Sequence, residues 1–195
     1  MKKILMTLTL LALVGFLSGC AWLEEPEPDY RAAMIEAALR ADVEAGRAAA
    51  QARDLRLDAA GSTDARIDFD ELLLLAKLIA WVADSDRIGL DWRICIGEIA
   101  LNRVASPEYP DTLEEVVFQE GVYPGVDSED FRTLFDPDSE SVNAALALLR
   151  GERRLSPWVV CQSRCSLGSR DYARYCDEEW GVMYFCSSVY PEKYW

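Results

Sequence analysis

The chain has 195 residues and a formal net charge of −14, with 34 acidic and 20 basic residues, and it contains no histidine. So acidic a balance argues against nucleic acid and anionic lipid as partners of the body of the protein. The absence of histidine removes the commonest general base near neutral pH and the commonest metal ligand. We expect no cofactor.

The first 20 residues have the pattern of a bacterial lipoprotein signal peptide. Lys2 and Lys3 precede an apolar run over residues 4–17, and Leu17-Ser18-Gly19-Cys20 has the form of a lipobox. The apolar run is too short for a comfortable transmembrane helix. We therefore expect Cys20 to become the lipidated N-terminus of an extracytoplasmic protein anchored to a bacterial membrane. An ordinary signal peptide or an uncleaved anchor is the alternative.

Residues 21–65 are predicted to form an acidic tether and a helical stalk. Residues 21–28 are acidic and interrupted by proline, whereas the segment from Asp29 to about Asp58 is rich in Ala, Arg and Glu. Asp29 is the expected N-cap, and the weak apolar stripe of the segment does not hold a heptad. These features predict one long helix, mostly exposed to solvent.

Residues 66–195 are predicted to fold as an α+β domain, in which a buried helical hairpin and further short helices pack with a small C-terminal β-sheet. The helices of the hairpin are nearly apolar all round, which indicates burial. The predicted helices cover residues 70–83, 91–104, 112–118 and 139–150. Strands are predicted at residues 158–162 and 182–186, because both segments are rich in β-branched and aromatic residues.

Four of the cysteines lie in the last 35 residues, and the export signal makes disulfides permissible there. They are Cys161, Cys165, Cys176 and Cys186. We expect at least one disulfide among them, and two disulfides have three possible connectivities. A zinc site made of all four thiolates is the alternative, although their spacing does not give two close pairs of ligands. Cys95, in an apolar run, is expected to be a buried free thiol.

The most specific motifs lie between residues 97 and 123. They are Asn102-Arg103-Val104, Ser106-Pro107, Pro110-Asp111-Thr112 and Gln119. In this order and spacing they resemble the catalytic domain of the SleB-type cell wall hydrolases, the spore cortex-lytic family, and the resemblance extends over about residues 70–186. It implies a lysozyme- or transglycosylase-like fold for a cell wall hydrolase-like domain at 66–195. It also implies cleavage of the glycan strands of peptidoglycan.

The resemblance also implies a single catalytic glutamate near the end of the first buried helix. Such an acid must protonate the glycosidic oxygen, so its pKa has to be raised by an apolar setting. Counting from the motifs in both directions places this position on Val82, which has no proton to donate. Two further positions that are polar in the family are Val122 and Met183 here. The sequence therefore resembles a divergent member that lacks the catalytic glutamate.

Two other carboxylates are candidates for a re-sited acid. Asp84 lies two residues beyond Val82, although a solvated acidic loop is the simpler interpretation. Glu98 is a lone acid in an apolar run, about 8–9 Å further along the helix axis than the residues opposite Val82. A buried Glu98 needs a partner, for which we expect Arg103 or Gln162.

The resemblance implies that Gln119, Tyr123 and Gln162 line the substrate cleft, whereas Asn102 and Arg103 are expected to cap the second helix. Three functions then remain open. The first is a membrane-tethered envelope lipoprotein that binds peptidoglycan glycan strands or an envelope protein without cleaving glycan. The second is an active peptidoglycan hydrolase or lytic transglycosylase that uses Asp84 or Glu98. The third is an envelope scaffold without a carbohydrate site.

Overall fold

The structure, a computed structural model, describes residues 29–194. The expected signal peptide, the lipobox with Cys20 and the tether at 21–28 lie outside the described residues. The α-helices of the described part are α1 (Tyr30–Leu39), α2 (Val43–Ala59), α3 (Phe69–Ala83), α4 (Leu90–Val104), α5 (Leu113–Val117) and α6 (Ser139–Leu149). Its strands are β1 (Val159–Ser163), β2 (Asp171–Asp177) and β3 (Gly181–Ser187). Helices followed by a small sheet confirm the predicted α+β class.

The helices α3 and α4 form the predicted buried hairpin, and α6 packs against both. Asp68 begins α3 by accepting hydrogen bonds from the backbone N–H groups of Asp70 and Glu71. The three helices meet at Gly97, where a Cβ atom would lie only 2.6 Å from Cδ1 of Ile79 and from Cδ1 of Leu148. Glycine therefore allows a close approach that a larger residue would prevent.

The sheet is antiparallel with the strand order β1-β3-β2, so β3 is the central strand. Both predicted strands are present, but β2 was not predicted. Its residues alternate between half-buried and exposed along the whole strand, a pattern typical of an edge strand with one face on the core. Two aspartates and an arginine in its seven residues obscured this signal in the sequence.

The predicted single helix over residues 29–58 is wrong. The chain turns at Ala41, which adopts a left-handed conformation with φ of 48°. Asp42 then caps a second helix by accepting a hydrogen bond from the N–H of Ala45, 3.0 Å away. The helices α1 and α2 pack against each other and against the domain, and Met34 of α1 is fully buried. Residues 30–59 are therefore a packed pair of helices, not an exposed stalk.

The five cysteines in the described part of the chain are all free thiols, which contradicts the expected disulfide. Cys95 is buried as predicted, and burial raises the pKa of its thiol to about 11. Within residues 29–194, no group of three or more His, Cys, Asp or Glu side chains is arranged to hold a metal ion. No helix of this part is long and apolar enough to cross a membrane.

Candidate functional site

A surface cavity of about 430 Å³ lies between the end of α3, the loop that follows α5, and the ends of β1 and β3. It is lined by Trp81, Val82, Val122, Tyr123, Pro124, Gln162, Ser163, Arg164 and Met183. Val82, Val122 and Met183 come from three separate elements yet share this cavity. These are the three positions that the sequence analysis predicted to replace polar residues of the SleB-type pattern.

The cavity has one rigid aromatic wall, formed by Trp81. The indole Nε1 donates a hydrogen bond to the carbonyl of Pro124 at 2.9 Å. The indole ring also makes edge-to-face contacts with Phe131 and Phe135, at centroid distances of 5.5 and 5.2 Å. Gly125 has a φ of +83°, and a Cβ atom there would lie 2.9 Å from Cζ2 of Trp81. The loop after α5 therefore packs directly on the indole.

Lys77 holds the segment that packs on Trp81. Its side chain is buried, and Nζ donates hydrogen bonds to the carbonyls of Phe131 and Arg132, at 3.3 and 3.1 Å. These two residues belong to a single π-helical turn, Asp130–Leu134. Burial lowers the pKa of Lys77, and the charge of Asp136 opposes this effect. The lysine therefore fixes the turn that presents Phe131 to Trp81.

A second wall of the cavity is polar and carries buried groups without a hydrogen-bond partner among the described residues. These atoms are the hydroxyl of Tyr123 and Oε1 of Gln162. Tyr123 is only 4% exposed. Its burial raises the pKa of the phenol, against the effect of the nearby Arg103 guanidinium, which lies 5.1 Å from the ring centroid. A buried donor or acceptor without a partner is costly, and the guanidinium of Arg103 is a polar group that lies beside the Tyr123 side chain.

Of the three residues predicted to bind substrate, the structure brings Tyr123 and Gln162 together in the cavity. Gln119 does not line it, although its Oε1 is also buried without a partner among the described residues. Sequence reasoning missed Arg164, whose guanidinium stacks on Trp180 with 3.3 Å to the ring centroid and donates a hydrogen bond to the Trp180 carbonyl. Nothing in the sequence placed this arginine at the cavity.

Asp84 is not part of the cavity. It ends α3 in a left-handed conformation with φ of 42°, and its side chain is exposed. It lines a different depression of about 460 Å³, together with Asp86, Asp136 and the buried Arg93. The guanidinium of Arg93 is already paired with Asp138 at 2.9 Å. Although Asp84 lies close to Val82 in sequence, it lines a separate depression.

Glu98 is fully buried and does not line the cavity either. Its carboxylate accepts hydrogen bonds from the backbone N–H groups of Arg154 at 2.7 Å and Leu155 at 3.1 Å. The predicted partners, Arg103 and Gln162, are therefore wrong. Burial raises the pKa of Glu98, and the two N–H donors oppose this effect. Glu98 ties the segment between α6 and β1 to α4.

Asn102 and Arg103 also hold β1 in place, instead of capping α4. Nδ2 of Asn102 donates to the carbonyls of Ser156 at 3.0 Å and Val159 at 2.9 Å. Nε of Arg103 donates to the carbonyl of Val160 at 2.7 Å. Because β1 continues directly to Gln162, this pair positions the polar wall of the cavity. Asn102 and Arg103 therefore support the cavity through the backbone of β1 and do not line it themselves.

Residues 91–158 match the family model described as Cell Wall Hydrolase. The matched segment includes Asn102, Arg103 and Tyr123, but it begins after Val82 and ends before Gln162 and Met183. No curated protein and no solved structure matches the chain. The segment 91–158 of the chain is therefore similar to the cell wall hydrolases.

Proposed function

We propose that this protein is an envelope lipoprotein, anchored through Cys20, whose domain binds the glycan strands of peptidoglycan without cleaving them. The observation that carries the proposal is the composition of the cavity. Val82, Val122 and Met183 lie together in it, and no carboxylate is among the nine residues that line it.

Cleavage of a glycosidic bond needs an acid that protonates the leaving oxygen. Tyr123 and Arg164 are the ionisable side chains of the cavity lining. Burial raises the pKa of the Tyr123 phenol, which makes it an even weaker acid than usual. An arginine guanidinium does not lose its proton in proteins. Neither side chain can therefore replace the missing glutamate.

The same lining is suited to binding a sugar. Trp81 offers a half-buried aromatic surface for the apolar face of a pyranose ring. Gln162, Ser163 and Tyr123 offer hydrogen-bonding groups on the other side. Aromatic side chains with a few placed polar groups are the usual composition of small-ligand pockets, and the volume lies within their usual range.

The alternative of an active enzyme with a re-sited acid finds no support in the geometry. Asp84 is exposed in a different depression. Glu98 is buried, with its carboxylate held by the backbone N–H groups of two residues. Neither carboxyl group lines the cavity that contains Val82, so neither lies where the family's acid would act.

The test combines retention and product analysis. The full chain in detergent is incubated with insoluble peptidoglycan, the pellet is assayed for bound protein, and the supernatant for anhydro-muropeptides. We expect retention without product, and loss of retention in Trp81→Ala. Product formation that disappears in Asp84→Asn or Glu98→Gln would overturn the proposal in favour of an enzyme. Absence of retention in the unmodified chain would leave the envelope scaffold.

A further inference from the structure

Three arginine side chains come together where the N-terminal helices meet α6. Arg31 lies in the first turn of α1, and its Nη2 donates a hydrogen bond to Oδ1 of Asn143 in α6 at 3.4 Å. The chain turns between α1 and α2 at Ala41, and Arg31 and Arg53 both lie about 11 residues from that turn. Because α1 and α2 pack against each other, Arg53 lies opposite Arg31 at the open end of this helical hairpin.

Arg150 adds the third guanidinium group from the end of α6. It is the C-cap residue of α6 and lies about two helical turns beyond Asn143, so the two side chains share one face of the helix. Two turns rise about 11 Å along the axis, a distance over which the long side chains of Arg31 and Arg150 approach each other. Partial burial lowers the pKa of Arg150, and the charges of Arg31 and Arg53 lower it further. The three guanidinium groups therefore form one cluster of like charge.

Carboxylates among residues 29–194 do not neutralise this cluster fully. Arg150 donates no hydrogen bond from its side chain and forms no ion pair with any of these residues, although the charge of Asp64 opposes the fall of its pKa. Arg53 is paired with Asp54 at 3.4 Å, but Arg66 shares that carboxylate at 3.9 Å. Like charges that are held together repel each other. An anion bound between them would remove this repulsion.

We infer that Arg31, Arg53 and Arg150 form a binding site for a phosphate group. A guanidinium group binds phosphate oxygens through two parallel hydrogen bonds. A phosphate group offers enough oxygens to engage several guanidinium groups at once, whereas the two oxygens of a carboxylate suit a single one. None of the three arginines lines the cavity that contains Val82, so the site is separate from the proposed glycan binding.

Two sources of phosphate fit the place of this site in the chain. Arg31 follows closely on the segment 21–28 that leads to Cys20, so lipid headgroups would lie near this end of the folded body if Cys20 carries the proposed lipid. A soluble phosphate compound is the other source. The formal net charge of −14 opposes both at long range. Physiological salt screens charges beyond about 8 Å, however, so the arginines in the cluster dominate at the site itself.

Calorimetric titration of inorganic phosphate into the full chain in detergent tests the site directly. Arg150→Gln and Arg31→Gln should each weaken binding at least about tenfold, because each removes charge-assisted hydrogen bonds. Arg174→Gln is the matched control, because Arg174 is exposed on β2, and it should leave the Kd unchanged. The second probe is glycerophosphoglycerol, the headgroup of phosphatidylglycerol without its acyl chains. Binding of either probe supports the site, and the one that binds more tightly identifies its source.

Thermal unfolding separates an anion site from a purely structural role of Arg150. At equal ionic strength, phosphate at about ten times its Kd should raise the Tm of the chain by about 3–6 °C relative to chloride, and Arg150→Gln should lose this rise. In chloride alone the Tm of Arg150→Gln should be no lower than that of the unmodified chain, because the substitution relieves repulsion. A lower Tm in chloride with an unchanged response to phosphate would overturn the inference. Absence of binding of both probes, or a Kd that neither Arg150→Gln nor Arg31→Gln changes, would also overturn it.

Discussion

Gly46 lies in α2 at the point where that helix meets Phe69, the first residue of α3. A Cβ atom at position 46 would lie 2.0 Å from Cζ of Phe69. Carbon atoms in favourable contact are about 3.5–4.0 Å apart. The ring of Phe69 is only 2% exposed and belongs to the core, so it has no free space to move into. Gly46→Ala should therefore push α2 away from the domain or distort the core.

Two opposing effects set the size of the change. Alanine is more favourable than glycine in a helix by about 1 kcal/mol. Overpacking a core costs about 1–3 kcal/mol, and an overlap with an atom 2.0 Å away lies at the upper end of that range. We therefore expect Gly46→Ala to lower the free energy of unfolding by about 2 kcal/mol. For a domain of this size this corresponds to a fall in Tm of about 4–8 °C.

Thermal unfolding of the full chain, followed by circular dichroism, measures the effect. Ala48→Gly is the matched control, because Ala48 is exposed in the same helix; its expected cost is about 1 kcal/mol. If α1 and α2 were an exposed stalk, Gly46→Ala would stabilise the chain by about the amount that Ala48→Gly costs. A stabilised Gly46→Ala variant would thus refute the packed arrangement of these helices.

Three further predictions concern the cleft and its support. Val82→Glu should release anhydro-muropeptides from peptidoglycan and Val82→Gln should not, because only the carboxyl group can donate a proton. A Val82→Glu variant that is retained on peptidoglycan but inactive would contradict the placement of the family's catalytic glutamate at position 82. Glu98→Gln, compared with the exposed Glu114→Gln, should lower the free energy of unfolding by about 1–3 kcal/mol by leaving a buried N–H poorly paired. Because burial raises the pKa of Glu98, its carboxyl group stabilises the fold most at acid pH, where it is protonated. The loss of unfolding free energy in Glu98→Gln, measured by denaturant titration, should therefore shrink as the pH rises through that pKa. Lys77→Met should weaken retention on peptidoglycan severalfold, because it removes two hydrogen bonds to carbonyls of the π-helical turn, each of which contributes about 1 kcal/mol. Unchanged retention together with an unchanged Tm would contradict the supporting role of Lys77.

Local signals predicted most of the helices and strands correctly. The helices α3 and α4 are long apolar runs, and α5 begins with a capping box in which the N–H of Glu115 donates to Oγ1 of Thr112. The second N-terminal helix was missed because the N-cap at Asp42 lies within a segment of uniformly high helix propensity. The burial of α1 could not be predicted, because its apolar stripe is weak and depends on the surface that α3 and α6 offer.

The cavity was predicted better than the contacts around it. Counting from sequence motifs selected Val82, Val122 and Met183, which lie far apart in sequence, and all three line one cavity. The partners of Glu98 were predicted wrongly, because they depend on the path of the segment from α6 to β1, more than 50 residues away along the chain. Backbone N–H groups leave no signature in a sequence, and sequence reasoning therefore considered only side-chain partners.

The packed N-terminal helices also limit where the domain would act. If residues 30–59 formed a stalk, the cavity could lie far from the lipid that we propose for Cys20. Because α1 already packs against α3 and α6, only residues 21–28 separate Cys20 from the folded body. Eight residues span at most about 29 Å even when fully extended. If Cys20 carries the proposed lipid, the folded body would therefore begin within about 29 Å of the membrane surface.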